Sequence, residues 1–215
     1  MAWMRILIVC LSVFLAAGRA VAQDDPAIVS AGNRVQELYK AGKFEEMLPA
    51  LDEYLRAVKA RFGEKGVEYL TGVQMKATTF VRLNRYPESE PFFRQWLALA
   101  EELYGPNDQR VLPAIDTFAG VLDTYLAKYS EAEVLMRRSL SIRRAAFGED
   151  SLETAKGLDQ LATLFATTNR VTEAEPLYRQ VVTIREKAGS PEATGTMVML
   201  AISQYINKET FSLTA

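Results

Sequence analysis

The chain has 215 residues, with 25 Lys and Arg against 27 Asp and Glu, no histidine and one cysteine, for a formal net charge of −2. Without histidine there is no imidazole acid–base chemistry and no His-based triad, and a single Cys10 permits neither an internal disulfide nor a zinc site built on Cys and His. No basic surplus is concentrated anywhere, so nucleic acid is a poor partner for this surface.

The chain begins Met-Ala-Trp-Met-Arg, continues with an apolar run from Ile6 to Ala17, and reaches Ala20-Val21-Ala22. A basic start, about a dozen apolar residues and an A-x-A site predict a secretory signal peptide over 1–22, cleaved after Ala22. The run is shorter than the roughly 20 residues that span a bilayer, so no membrane span is expected in the mature chain. Cys10 lies inside that run behind Leu7-Ile8-Val9 and reads as a passive member of it, not as a lipidation site. Removing 1–22 leaves 23 basic against 27 acidic residues, no cysteine and no Asn-x-Ser/Thr sequon. That combination suits a bacterial periplasm at least as well as an animal extracellular space.

From there the apolar spacing is helical. It predicts helices over 27–41, 44–61, 66–83, 87–103, 108–127, 130–146, 151–168, 172–187 and 191–206. In the eighth of these Ala174, Leu177, Tyr178, Val181 and Val182 share one face, as Leu158, Leu161, Ala162 and Phe165 do in the seventh. A twelve-residue pattern recurs as YPESEPFFRQWL from Tyr86, YSEAEVLMRRSL from Tyr129 and VTEAEPLYRQVV from Val171, with a degenerate copy from Phe44. Each copy leads to a glycine, at Gly63, Gly105, Gly148 and Gly189, where a left-handed residue would close the last helical turn. Ser130 with Glu133 and Thr172 with Glu175 match the capping-box spacing. A period of about 42 residues means a stacked array in which neighbouring units supply one another's core. The predicted repeats are 27–63, 66–105, 108–148 and 151–189, with a capping helix at 191–206, all in a single repeat domain over 23–215.

The run VTEAEPLYRQVVTIREKAG, from Val171 to Gly189, resembles the tetratricopeptide repeat in its long form, the kind found in kinesin light chains. Ala162, Phe165, Ala174 and Tyr178 stand where that repeat packs its two helices, and GPNDQRV from Gly105 to Val111 looks like the link between repeats. The resemblance implies an all-α, right-handed superhelical array of antiparallel helix pairs, a TPR-like α-solenoid. It also implies a concave wall built by the first helix of each pair and used to hold peptides. On that basis the groove-facing residues are Gln36, Gln74, Thr78, Arg82, Asp116, Asp123, Lys156, Asp159 and Thr163. Relatives often carry paired asparagines before the Leu-Ala; here Asp116-Thr117 and Asp159-Gln160 stand instead, and a carboxylate can only accept, so it would hold a peptide's N–H groups.

Asp116 and Asp159 sit one repeat apart and offer two readings, an acidic strip for a basic ligand or ordinary solvated helix-surface acids. Trp96 fills the slot of Ser139 and Val181 in later repeats and reads as core. Arg137-Arg138 and Arg143-Arg144 form a basic cluster whose ordinary partners are Glu131, Glu133 and Glu149. No catalytic, cofactor or metal site is expected. The sequence therefore predicts an exported, non-catalytic interaction module with a protein or peptide partner; the alternative is a structural subunit that self-associates through its C-terminal helix.

Overall fold

The computed structural model describes residues 25–214, with side chains through Tyr205; the signal segment expected at 1–22 lies outside the described residues. Every element among the described residues is helical. The chain divides into two compact units, 1–106 and 107–215, at the predicted link between the second and third repeats. The first unit holds α1 (Pro26–Lys40), α2 (Phe44–Phe62), α3 (Val67–Arg82) and α4 (Tyr86–Tyr104). The second begins with a 3-10 turn, Gln109–Val111, followed by α5 (Leu112–Thr124), α6 (Tyr129–Phe147), α7 (Leu152–Thr167), α8 (Val171–Lys187) and α9 (Ala193–Thr214). Within each unit every helix packs on the next in sequence.

The core follows from the apolar spacing. In the first unit Val35, Leu51, Tyr54, Val58, Val73, Ala77, Phe93 and Trp96 are buried; Trp96 lies 6.2 Å from Phe93 between ring centroids, so it is the core residue its spacing suggests. In the second unit Ile115, Phe118, Leu122, Ala132, Met136, Leu158, Leu161, Ala162, Phe165, Ala174 and Tyr178 form the interior. Ala77, Ala119 and Ala162 occupy one repeat position and Ala132 and Ala174 another, both fully shielded, because a larger side chain there would push paired helices apart. Small residues also govern the approach of one pair to the next. A Cβ on Gly157 of α7 would stand 3.3 Å from the Leu140 Cα of α6, and one on Gly72 of α3 would stand 3.1 Å from the Tyr54 ring of α2.

The turn inside each pair has a shared geometry that the spacing alone did not expose. Gly42, Asn84, Ala127 and Asn169 all take positive φ, between 51° and 70°. The next residue donates back across the helix end, Lys43 to the Leu38 carbonyl, Arg85 to Phe80 and Arg170 to Phe165, the six-to-one bond of a Schellman turn. In the third pair Lys128 reaches one residue further, to Leu122, which absorbs the extra residue of that repeat. Since the chain reverses so sharply, the second helices begin at once, at Tyr129 and Val171. Ser130 and Thr172 are thus inside their helices, and the expected capping boxes do not form. True side-chain caps occur at Asp25, which accepts from Ala27 N–H at 3.0 Å, and at Ser151, which accepts from Thr154 N–H at 3.1 Å.

The glycines between pairs also differ from the expected left-handed cap. Gly63, Gly105 and Gly148 combine φ of 78°, 91° and 87° with ψ of −170°, 147° and 161°, an extended region open to glycine almost alone. Only Gly189, at φ 62°, lies where the sequence placed them, and Ser190 N–H closes that turn on the Arg185 carbonyl.

Two substitutions should therefore act in opposite directions under urea. Gly148→Ala should cost about 1–3 kcal/mol, because its backbone region is barred to a Cβ. Ala127→Gly should gain about 0.5–1 kcal/mol, since relief of a left-handed alanine exceeds the added entropy of the unfolded chain.

Candidate functional site

In the first unit, the polar residues nominated on the first helices are largely engaged by the chain itself. Arg82 donates from Nη2 to the Tyr39 hydroxyl at 3.1 Å, and its guanidinium carbon lies 5.2 Å and 5.1 Å from the centroids of Tyr39 and Phe44. The Thr78 hydroxyl donates to the carbonyls of Gln74 and Met75, each at 3.0 Å, so it serves its own helix. Gln36 and Gln74 are half-buried. Beside them Lys76 pairs with Asp52 of α2 and lies 4.7 Å from the Phe92 ring of α4, tying three helices with one ammonium.

In the second unit Asp116 turns inward. Its two carboxylate oxygens receive Arg143 Nη1 at 3.1 Å and Nη2 at 2.6 Å, and the Ser139 hydroxyl adds a bond of 2.6 Å. Arg143 is only 5% exposed, and its Nε also faces Glu153 of α7 at 3.7 Å, so one guanidinium spans α5, α6 and α7. The arrangement recurs one repeat later. Arg185 of α8, 6% exposed, donates from Nη2 to Asp159 of α7 at 3.1 Å, faces Glu192 at 3.1 Å and donates to the Thr196 hydroxyl of α9. Bidentate or forked pairing of this kind is strong where solvent is excluded.

Neither reading of Asp116 and Asp159 offered by the sequence survives this geometry. They are not an acidic strip, because each is neutralised, and they are not simple surface acids, because each is clamped to a buried arginine. The surface cluster on α6 resolves in the same way. Arg137 pairs with Glu133 and Arg144 with Glu149, as ordinary ion pairs, while Arg143 leaves the cluster for the interior. Glu133 also receives Arg170 from the α7–α8 turn; that bond, above all, holds its carboxyl below the usual glutamate range. The Phe165 ring lies under both guanidinium groups, 4.1 Å from Arg170 and 5.4 Å from Arg137.

Of the residues nominated on α5 and α7, three remain outside these clamps. Lys156 is exposed and pairs with its neighbour Glu153 at 2.5 Å. Thr163 is exposed, its hydroxyl 3.3 Å from the phenol of Tyr178, which burial pushes above its ordinary pKa. Asp123 is half-buried, makes no ion pair among the described residues, and burial raises its pKa. No group of three or more Cys, Asp or Glu able to hold a metal occurs among the described residues, and none of their helices is long and apolar enough to cross a membrane.

Sequence profiles described as tetratricopeptide repeat match residues 76–110, the end of α3 with α4, and residues 114–187, the two pairs from α5 to α8. The chain is a tetratricopeptide repeat protein. Its fold is similar to that of solved kinesin light chain-type TPR-like repeats from Podosopora anserina, with a TM-score of 0.70 at 16% identity, covering 85% of this chain and 87% of that one. BtubC (BKLC) from P. vanneervenii gives a TM-score of 0.70 at 18% identity, covering 94% of this chain and 83% of that one. No curated protein matches the sequence. These likenesses establish an all-α, TPR-like solenoid fold.

Within this TPR protein the Asp–Arg clamp had a sequence signal that went unread. Aspartate and arginine recur 27 and 26 residues apart in the third and fourth repeats. Gln74 and Ala100 stand at the matching positions of the second. A double-mutant cycle measures the clamp. Asp116→Leu alone should cost about 3 kcal/mol in chemical denaturation by stranding Arg143, and Arg143→Met alone should also destabilise by leaving the Asp116 carboxylate unpaired, whereas the two together should be close to neutral.

Proposed function

We propose that the chain is an exported, non-catalytic interaction module that holds a protein or peptide segment against the first helices of its repeats. Tetratricopeptide repeats as a class mediate protein–protein interaction and scaffolding, which supports the module reading. Export is supported by the basic start, apolar run and A-x-A site of residues 1–22. A non-catalytic role fits a chain without histidine whose interior charges are committed to clamps.

The observation that carries the reading is Asp123. It is the one nominated acid without an arginine opposite it among the described residues, and it is half-buried on α5. A carboxylate in that setting is an acceptor awaiting N–H donors, from a peptide backbone or a basic side chain. Lys156 and Thr163 on α7 extend the polar lining within the same unit.

In-cell amine crosslinking with mass spectrometry tests the proposal, with Lys156 as a native handle. The isolated chain should begin at Gln23, and crosslinks to another protein should map to Lys156 on α7. Asp123→Ala should lower their yield about tenfold, the weight of one charge-assisted hydrogen bond. A chain that retains residues 1–22 would remove the export claim, and crosslinks confined to other surfaces would remove the groove.

A further inference from the structure

We propose that Glu153 is a two-position carboxylate that carries occupancy of the groove at Lys156 to the buried Arg143 clamp. The inference rests on the groove reading above and adds how that site acts on the helices beneath it. Arg143 uses both terminal nitrogens on Asp116 and Ser139. Its Nε–H is buried and has no acceptor among the described residues. The carboxylate that faces it, Glu153 Oε2, stands 3.7 Å away, beyond hydrogen-bond reach. The other oxygen of the same carboxylate is held by Lys156 at 2.5 Å, from three residues further along α7. One anion therefore stands between two cations, and the exposed one has it.

The second clamp shows a similar arrangement without the competitor. Glu192 takes the place of Glu153, pairs with no lysine among the described residues, and closes to 3.1 Å from Arg185 Nη2. Glu153 stays outside because moving inward would strip its water and leave the Lys156 ammonium unpaired, costs comparable with the bond it would gain. A docked segment changes that balance. A carbonyl or carboxylate oxygen placed on Lys156 takes over the ammonium and frees Glu153 to turn inward and accept from Arg143 Nε–H. The gain is a buried donor filled by a charge-assisted bond. α7 is placed to respond. A Cβ added to Gly157, one turn after Glu153, would stand 3.3 Å from Arg143 Cδ, so α7 lies directly on the guanidinium stem. Occupancy of the groove is thereby converted into a tighter joint between α5, α6 and α7, and by reciprocity a closed joint favours the occupied groove.

Lys156→Met stands in for an occupied lysine and needs no ligand; Lys156 is exposed, so the fold tolerates the change. The readout is the Arg143 Nε–H signal in nitrogen-edited NMR of the isolated full chain, assigned by through-bond correlation to its own backbone. In Lys156→Met this proton should shift downfield and exchange with water about tenfold more slowly, the weight of one bond to a charged group. The Arg185 Nε–H should not move. Glu153→Ala added to Lys156→Met should return the Arg143 signal to its position in the unaltered chain, with the same helical circular dichroism throughout. An Arg143 Nε–H unchanged by Lys156→Met overturns the proposal, as does a shift that persists in the double variant or that Arg185 shares. The crosslinking experiment fails separately: a chain without a groove partner still gives the shift if the switch exists, and a groove without the switch still crosslinks.

Discussion

Within each unit, one helix pair shares its core with the helix that follows it: Leu140 of α6 meets α7 at Gly157, and Tyr54 of α2 meets α3 at Gly72. Burial is thus continuous within each unit while every contact is local in sequence. Two consequences follow. Small residues are required where helices approach, and sharp turns of fixed geometry are required between them.

The charged residues serve the same constraint. Arg143 and Arg185 each reach from a second helix to the first helix of their own pair and to the first helix of the next. A buried ion pair adds little net stability over a well-packed apolar one, but it penalises misregister, because a shift of one turn would strand a charge. In the second unit these clamps fix how successive helices sit, and they remove two carboxylates from the surface that would otherwise meet a ligand. Of the residues nominated on α5 and α7, Asp123, Lys156 and Thr163 are the ones these buried arginines leave aside.

Much of the fold was legible because periodicity and repetition report burial directly. The sequence places the second helix at 44–61 and the structure at Phe44–Phe62; it places the eighth at 172–187 and the structure at Val171–Lys187. Trp96 reads as core and is buried. Turn chemistry was less legible. The positive φ of Ala127 has no signature in an alanine, and the glycines between pairs were recognised without the extended ψ that makes them irreplaceable. The site was least legible, for a physical reason. Whether Asp116 faces water or an arginine depends on a partner 27 residues away on another helix, and a stripe-by-stripe reading of single helices cannot see it. Comparing the repeats with one another would have shown the Asp–Arg pair recurring together.

The central claim is that cores are shared between successive helices, and native-state hydrogen exchange on a core-cavity variant tests it most directly. Leu158→Ala in α7 removes a buried side chain at a cost of about 2–5 kcal/mol. If packing is continuous, amides of α6 and α8 lose protection together with those of α7. Loss confined to α7, with α6 and α8 unchanged, would contradict the account.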